Sequence, residues 1–339
     1  MTSSKRKIAK TVAIACQGGG SHCAFGAGAL LELLRRTRDG ASLVCGGESF
    51  RLVGFSGTSG GAINALLAWY GVVTGDGAVG ARALDAFWRG IMATEAWDAL
   101  GNAATVSAVR LQGMVPSIEV APNAWSALIQ DQLGAQIARQ VPFAQLAHLV
   151  GDDCPSLHIG AADILSGEFT VFGGAGRAAV VTLEQVLAST AVPEIFPAVR
   201  VDGRAYWDGL LSQNPPIRDF LRRRDKARIP DEIWIIRINP LARRGVPVQL
   251  NDIRDRRNEM AGNLALEEER YFIERVNRWV AQGMLPDKKH VEVREIDLER
   301  VGSGSDGLDY ASKLDRDPGF IEALLTRGMA AAAAFLERP

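Results

Sequence analysis

Phe50-Arg51-Leu52-Val53-Gly54-Phe55 runs through Ser56 into Gly57-Thr58-Ser59-Gly60-Gly61, and Ala62-Ile63-Asn64-Ala65-Leu66-Leu67-Ala68-Trp69-Tyr70 follows. An apolar strand, a G-x-S-x-G turn and a helix of small and apolar residues succeed one another without a linker. That succession matches a sharp strand-to-helix turn, in which the serine backbone is strained and its hydroxyl stands at the carboxyl edge of a sheet. Gly57 and Gly61 let neighbouring segments approach that elbow, and the first amides of the helix favour negative charge at Ser59.

Outward from the elbow, short β-rich runs alternate with helical ones. Thr11–Cys16 reads as a buried strand that enters Gly18-Gly19-Gly20, and a helix follows over Gly26–Arg36. Leu157–Ile164 and Phe169–Phe172 read as a hairpin around Ser166-Gly167-Glu168. Ile233–Ile238 and His290–Ile296 add two later strands. Strands alternating with helices imply an α/β fold, a mainly parallel sheet covered on both faces. Neither a repeat nor a linker interrupts the pattern. It gives a basic tail over 1–10 and one domain over 11–339, with the core motifs in 11–220 and further strands and helices in 221–339.

Two segments stand apart. Gly71–Gln140 is helical, carries Trp88, Trp97 and Trp125, and is broken at Gly101, Gly113, Pro116 and Pro122. It reads equally as a cap over a site or as helices packed on the sheet. Asn251–Gln282 reads as a long charged helix, for which a solvated face is the plain reading and a membrane-surface role the sharper one.

The composition narrows the function. The 339 residues are 47% hydrophobic and 23% charged, with a net charge of −1 and a mean hydropathy of +0.03. Disorder is excluded as the main state, and the charge balance argues against an electrostatic nucleic-acid binder. No apolar run reaches the roughly 18 residues of a membrane-spanning helix. The apolar stretch after Lys5-Arg6-Lys7 is too short for a secretion signal. The four cysteines lack metal-ligand spacing, so the expected location is the cytoplasm.

A serine hydroxyl needs a base. Of the histidines after Ser59, His148 lies on an apolar helical pattern, His158 within a strand, and His290 heads a strand after two lysines. None occupies a glycine-rich loop after a late strand. Asp208 is better placed: Val201-Asp202-Gly203-Arg204 reads as a tight turn, and Ala205-Tyr206-Trp207 leads to Asp208-Gly209 at a strand end. Burial beside Tyr206 and Trp207 is expected to raise its pKa, although an ordinary Asp-Gly turn is the competing reading. Gly18, Gly19 and Gly20 offer flexible amides for an oxyanion hole. They fit neither G-x-G-x-x-G nor a phosphate-binding P-loop.

The glycine loop, the later G-x-S-x-G and the distant Asp-Gly, in this order, resemble the patatin-like phospholipases. Ala188-Ser189-Thr190-Ala191-Val192-Pro193 with Phe196-Pro197-Ala198-Val199 resembles the family's segment before its aspartate. Asp208-Gly209 with Asn214 and Pro216 resembles its D-G-x-x-x-x-N-x-P pattern, and Ala161-Ala162-Asp163 through Gly167-Glu168 its strand-turn-strand. Ile238-Asn239-Pro240 and the Arg256–Arg270 stretch look like a bacterial branch.

The resemblance implies a three-layer α/β/α fold and a metal- and cofactor-independent serine hydrolase of lipid acyl esters. Ser59 would be the nucleophile, Asp208 the general base and acid, and Gly18, Gly19 and Gly20 the oxyanion hole, with His22 as a site neighbour. The chain departs from the family at His22, where arginine or lysine is common, and at Cys23, where glycine is. It also carries Leu210 after Asp-Gly, where a small residue is usual and where the larger side chain would narrow the room, and Gln17 in place of a frequent acid. The readings left beside this one are a Ser-His-Asp triad esterase, an acyltransferase, and a non-catalytic lipid-binding or storage protein.

Overall fold

The first strand, β1 (Lys10–Cys16), sends its side chains into two separate cores. Val12, Ile14 and Cys16 pack with Leu30, Leu66 and Trp234, whereas Ala13 and Ala15 pack with Phe220, Ile235 and Ile273. A strand buried on both faces reads as a continuous apolar run because successive residues point to opposite sides. A computed structural model describes residues 9–111, 124–193, 195–222, 225–243, 245–298 and 308–338. The Lys5-Arg6-Lys7 cluster and the breaks at Gly113, Pro116 and Pro122 lie outside them.

The remaining strands are β2 (Ser42–Cys45), β3 (Glu48–Thr58), β4 (Ser156–Asp163), β5 (Phe169–Gly174), β6 (Val199–Val201), β7 (Arg204–Asp208), β8 (Glu232–Arg237) and β9 (Glu292–Asp297). All join β1 in one nine-stranded sheet ordered β6-β7-β4-β3-β1-β8-β9, with β2 on β3 and β5 on β4. The centre, from β4 to β9, is parallel, and the β2, β5, β6 and β7 pairings are antiparallel. Position 202 has φ 48° and Gly203 φ 79°, the left-handed pair that closes the β6–β7 hairpin at the expected turn.

Helices cover both faces. On one lie α1 (Cys23–Arg35), α2 (Gly60–Val73), α3 (Gly77–Gly90) and α9 (Pro318–Leu336); on the other lies the 32-residue α8 (Leu250–Ala281). The fold is therefore the α/β/α sandwich of the patatin-like proteins. Helix α9 corrects the hydropathy reading: it is 19 residues long and apolar enough to cross a membrane by length and composition alone. Glu322 and Arg327 break its run in the sequence, and in the fold its apolar face packs on α1. A Cβ on Gly28 would lie 2.0 Å from the Leu325 carbonyl oxygen, so the two backbones touch there.

Within 71–140, α3 behaves as a core helix. Trp88 is buried and donates its indole N–H to Asn64 of α2 at 2.8 Å. Helix α4 (Ala96–Leu111) leaves Trp97 largely exposed, and α5 (Ala124–Gln140) packs on α7 (Leu183–Thr190) through Gly134. One more short helix, α6 (Phe143–Leu149), precedes β4.

Candidate active site

Ser59 caps α2 with φ 58° and ψ −133°, a conformation that non-glycine residues rarely adopt. Such strain persists only where the surroundings impose it. Strand β3 delivers the chain to Thr58, and the helix begins at once, with Ala62 and Ile63 already bonded to the Ser59 carbonyl. The turn is tight enough that a Cβ on Gly61 would lie 2.2 Å from the Cys16 carbonyl oxygen, and one on Gly57 would lie 2.1 Å from the Gly61 carbonyl oxygen. Glycine at both positions is a packing requirement. The Ser59 N–H is held from outside the elbow by Ser189 Oγ at 3.0 Å.

Asp208 reaches Ser59 through the register of β4. Strand β5 occupies one edge of β4 along Leu157–Ala162, so β3 and β7 must share the other edge. On it Thr58 stands opposite Gly160 and Asp208 opposite Ala161. The carboxyl ends of β3 and β7 thus meet head-on beside two consecutive residues, although 149 positions separate Ser59 from Asp208 along the chain.

The Asp208 carboxyl is buried, 2% exposed. Its Oδ1 accepts the Leu210 N–H at 2.8 Å. The Ser59 hydroxyl is its side-chain hydrogen-bonding neighbour, yet Oδ2 completes no hydrogen bond of normal length and angle. A hydroxyl and a carboxylate that are adjacent but imperfectly aligned are common in substrate-free sites and tighten when substrate binds. Burial pushes the Asp208 pKa up to about 7, against the opposing pull of the Ser59 hydroxyl, the Leu210 N–H and the Lys313 charge.

The source of that burial differs from the expectation. Trp207 points away from its neighbour and is 38% exposed, while Tyr206 packs edge-on against Phe172. The Asp208 carboxyl is enclosed instead by the converging strand ends and by the Gly209 turn, which backs onto Gly160. Leu210 reaches toward Gly262 of α8, its Cδ1 3.3 Å from where a Cβ there would sit.

The glycine loop lies against the same two residues. A Cβ on Gly18 would meet the Thr58 carbonyl oxygen at 2.3 Å and Ser59 Cβ at 2.8 Å. The Gly18 N–H is not a free donor, because it binds Asn214 Oδ1 at 2.6 Å. The Gly18 carbonyl accepts from Asn214 and Asn239 at 3.3 and 3.2 Å. Gly18 is thus a clamped spacer, and of the other two loop amides that of Gly19 is directed at the Cys23 thiol. The Cys23 thiol, in the place where the family carries glycine, sits near the Gly19 and Gly61 amides, and burial pushes it up to about 12.

The histidines lie elsewhere in the bonding pattern. His22 Nε2 is 2.8 Å from Ser312 Oγ, and burial holds its pKa well below the usual imidazole value, so it is neutral. His158 stacks edge-on against Phe220, and His148 and His290 are exposed. Among the described residues no three His, Cys, Asp or Glu side chains gather as a metal site.

Three residues have supporting roles that the sequence reading does not assign, although Ser189 and Gln17 stand in its motifs. Ser189 holds the Ser59 amide. Gln17 accepts the Ile238 and Asn239 amides at 2.9 Å each and donates to Asn263, which knots the end of β1 to the exit of β8 and to α8. Lys313 places a half-buried ammonium beside the glycine loop. Asn214 and Asn239 are visible in the motifs, but their grip on Gly18 is not.

The family model described as patatin-like phospholipase matches residues 14–221, more than half of the chain. The chain belongs to the patatin-like phospholipase family and is a lipid acyl hydrolase. The crystal structure of VipD from Legionella pneumophila is similar to it with 11% sequence identity and a TM-score of 0.37, covering 97% of this chain and 67% of that one. No curated protein matches the chain.

Proposed function

We propose that the chain hydrolyses carboxylic esters of lipids, phospholipids included, through a Ser59–Asp208 dyad and an acyl-enzyme. The observation that carries this reading is the head-on meeting of β3 and β7 beside Gly160 and Ala161, which brings one hydroxyl and one buried carboxyl together. Ser59 Oγ attacks the ester carbonyl carbon as the Asp208 carboxylate takes the hydroxyl proton. The oxyanion develops beside the Gly19 and Gly20 amides and the first amides of α2. Asp208 then passes its proton to the alkoxy oxygen as the C–O bond breaks, and the alcohol leaves. Water attacks the acyl-enzyme while Asp208 takes one of its protons and returns it to Ser59, and the fatty acid departs.

A carboxylate is a feeble base at its ordinary pKa, and the shift to about 7 brings it into the useful range. The four unpaired cysteines favour a reducing compartment, and we assign the protein to the cytoplasm with access to membrane surfaces. The test is Ser59→Ala, expected to abolish turnover of a nitrophenyl acyl ester and labelling by a fluorophosphonate while circular dichroism stays unchanged. Retained turnover refutes the assignment. A severe effect of His158→Ala beside a mild one of Asp208→Asn would point to a triad esterase instead. Intact folding without turnover or label in the wild type would point to a lipid-binding protein.

A further inference from the structure

The most unusual group near the glycine loop comes from outside the matched family segment. Lys313 lies in the short 3₁₀ turn Ala311–Leu314. Its ammonium donates to Asn239 Oδ1 at 2.7 Å and to Asn258 Oδ1. Both acceptors are neutral amides, and an ammonium has three donors. The third has no acceptor among the described residues. A half-buried cation held by amides rather than by a carboxylate keeps its charge available to whatever forms next to it.

What forms next to it is the oxyanion loop. A Cβ on Gly19 would lie 3.6 Å from Lys313 Nζ, and one on Gly20 would lie 2.1 Å from the Lys313 carbonyl oxygen, so loop and lysine are in backbone contact. Asn239, which Lys313 grips, also holds the Gly18 carbonyl. His22, at the position where the family commonly carries a basic residue, is neutral and bonded to Ser312, the residue before Lys313.

We propose that Lys313 is the fixed positive charge of this active site, a positioning residue that anchors the glycine loop through Asn239 and stabilises the oxyanion by its field. This rests on the Ser59–Asp208 reading and extends it to the C-terminal third of the chain. The reaction leaves Lys313 chemically unchanged; its contribution is greatest when the carbonyl oxygen becomes negative, so it acts on kcat more than on KM.

Burial lowers the Lys313 pKa to about 8, opposed by Cys23, Glu259, Asp255 and Asp208. The charged and titratable groups facing it are thus Cys23 from α1, Asp208 from β7, Asp255 and Glu259 from α8, with His22 and Asp309 on the lining of the small cavity beside it and Arg327 of α9 behind His22. His22, held low, and Cys23, pushed to about 12, do not titrate between pH 7 and 9, and Asp208, at about 7, raises kcat rather than lowering it as it ionises. A loss of kcat through that window therefore reports Lys313.

The experiment compares wild type and Lys313→Gln, which keeps a donor for Asn239 and removes the charge, on a nitrophenyl acyl ester from pH 6 to 10. In wild type kcat is expected to fall as pH rises through about 8. Lys313→Gln should lose kcat roughly 10- to 100-fold at pH 7.5 with KM within about twofold, and should lack the alkaline fall. Lys313→Arg should recover part of the loss. A flat wild-type kcat from pH 7 to 10, or a Lys313→Gln enzyme within twofold of wild type, overturns the proposal. If Lys313→Gln fails to fold, Lys313→Arg decides: an alkaline fall that disappears below pH 10 in Lys313→Arg supports the proposal, and one left unmoved overturns it. Failure of the underlying reading looks different, since Ser59→Ala would then retain turnover whatever Lys313 does.

Discussion

Ser189 Oγ accepts the Ser59 N–H at 3.0 Å and donates to the Gly160 carbonyl at 2.7 Å, so a single hydroxyl pins the strained elbow to β4, the strand on which β7 and its Asp208 pair. The same segment carries the Ala191 carbonyl, which accepts the Asp208 N–H at 2.9 Å. Ser189→Ala removes an acceptor and a donor from fully buried partners. The expected results are a stability loss of about 1–3 kcal/mol in urea unfolding and a kcat lowered about 10-fold with little change in KM. Wild-type kinetics in Ser189→Ala would show that the elbow holds its geometry without help.

The raised Asp208 pKa fixes the acid limb of activity. Because the base works as the carboxylate, log(kcat/KM) is expected to climb with unit slope below about pH 7, until the alkaline fall set by Lys313 begins near pH 8. A limb near pH 4 would mean that the carboxyl titrates as an exposed one does, and that its burial contributes nothing to the chemistry. The measurement needs only the wild-type enzyme and a soluble ester.

The elbow was legible because it is local: strand, G-x-S-x-G and helix occupy consecutive residues, and their order alone dictates the turn. Strands β1, β4, β8 and β9 were legible for a similar reason, each being an apolar or alternating run bounded by turn residues. Asp208 stood out as a strand-end Asp-Gly. Its partnership with Ser59 did not, since that depends on which edge of β4 each strand takes, a choice made by long-range pairing. Ser189, Gln17 and Lys313 are further from reach. Each is an ordinary polar residue in sequence and gains its role only when distant segments close around Gly18–Gly20. Trp207 misled for a simple reason: a neighbour in sequence on a strand faces the other way.

Gly61→Ala tests whether the elbow tolerates one more carbon. The added Cβ would lie 2.2 Å from the Cys16 carbonyl oxygen and 2.8 Å from that of Gln17, both backbone atoms of the strand that feeds the glycine loop. Neither moves without shifting β1 or α2. Overpacking of this kind costs about 1–3 kcal/mol, and activity should fall by at least 10² because the strain displaces Ser59 against Gly18. Thermal unfolding and ester turnover, measured together, check both halves. Full activity in Gly61→Ala would mean that the glycine is dispensable.

Asp208→Asn should separate activity from stability. In the native state the carboxyl pKa stands at about 7, above its ordinary value of 3.8, and burial is the largest cause. Between those values the native protein keeps a proton that the unfolded chain has released, so the stability of the wild type falls as pH rises, by up to about 1.4 kcal/mol per unit from this group. The contribution is fully present below pH 4 and gone above pH 7. Asparagine cannot ionise and keeps an oxygen for the Leu210 N–H, so the variant lacks this slope. Urea unfolding at pH 5 and pH 8 should show Asp208→Asn gaining on wild type as the pH rises, while its ester turnover is almost lost. Other buried acids, Asp219 and Glu269 among them, titrate in both proteins and cancel in the difference. A gap between the two proteins that stays constant with pH would mean that the carboxyl ionises in the fold as easily as in water, which its burial opposes.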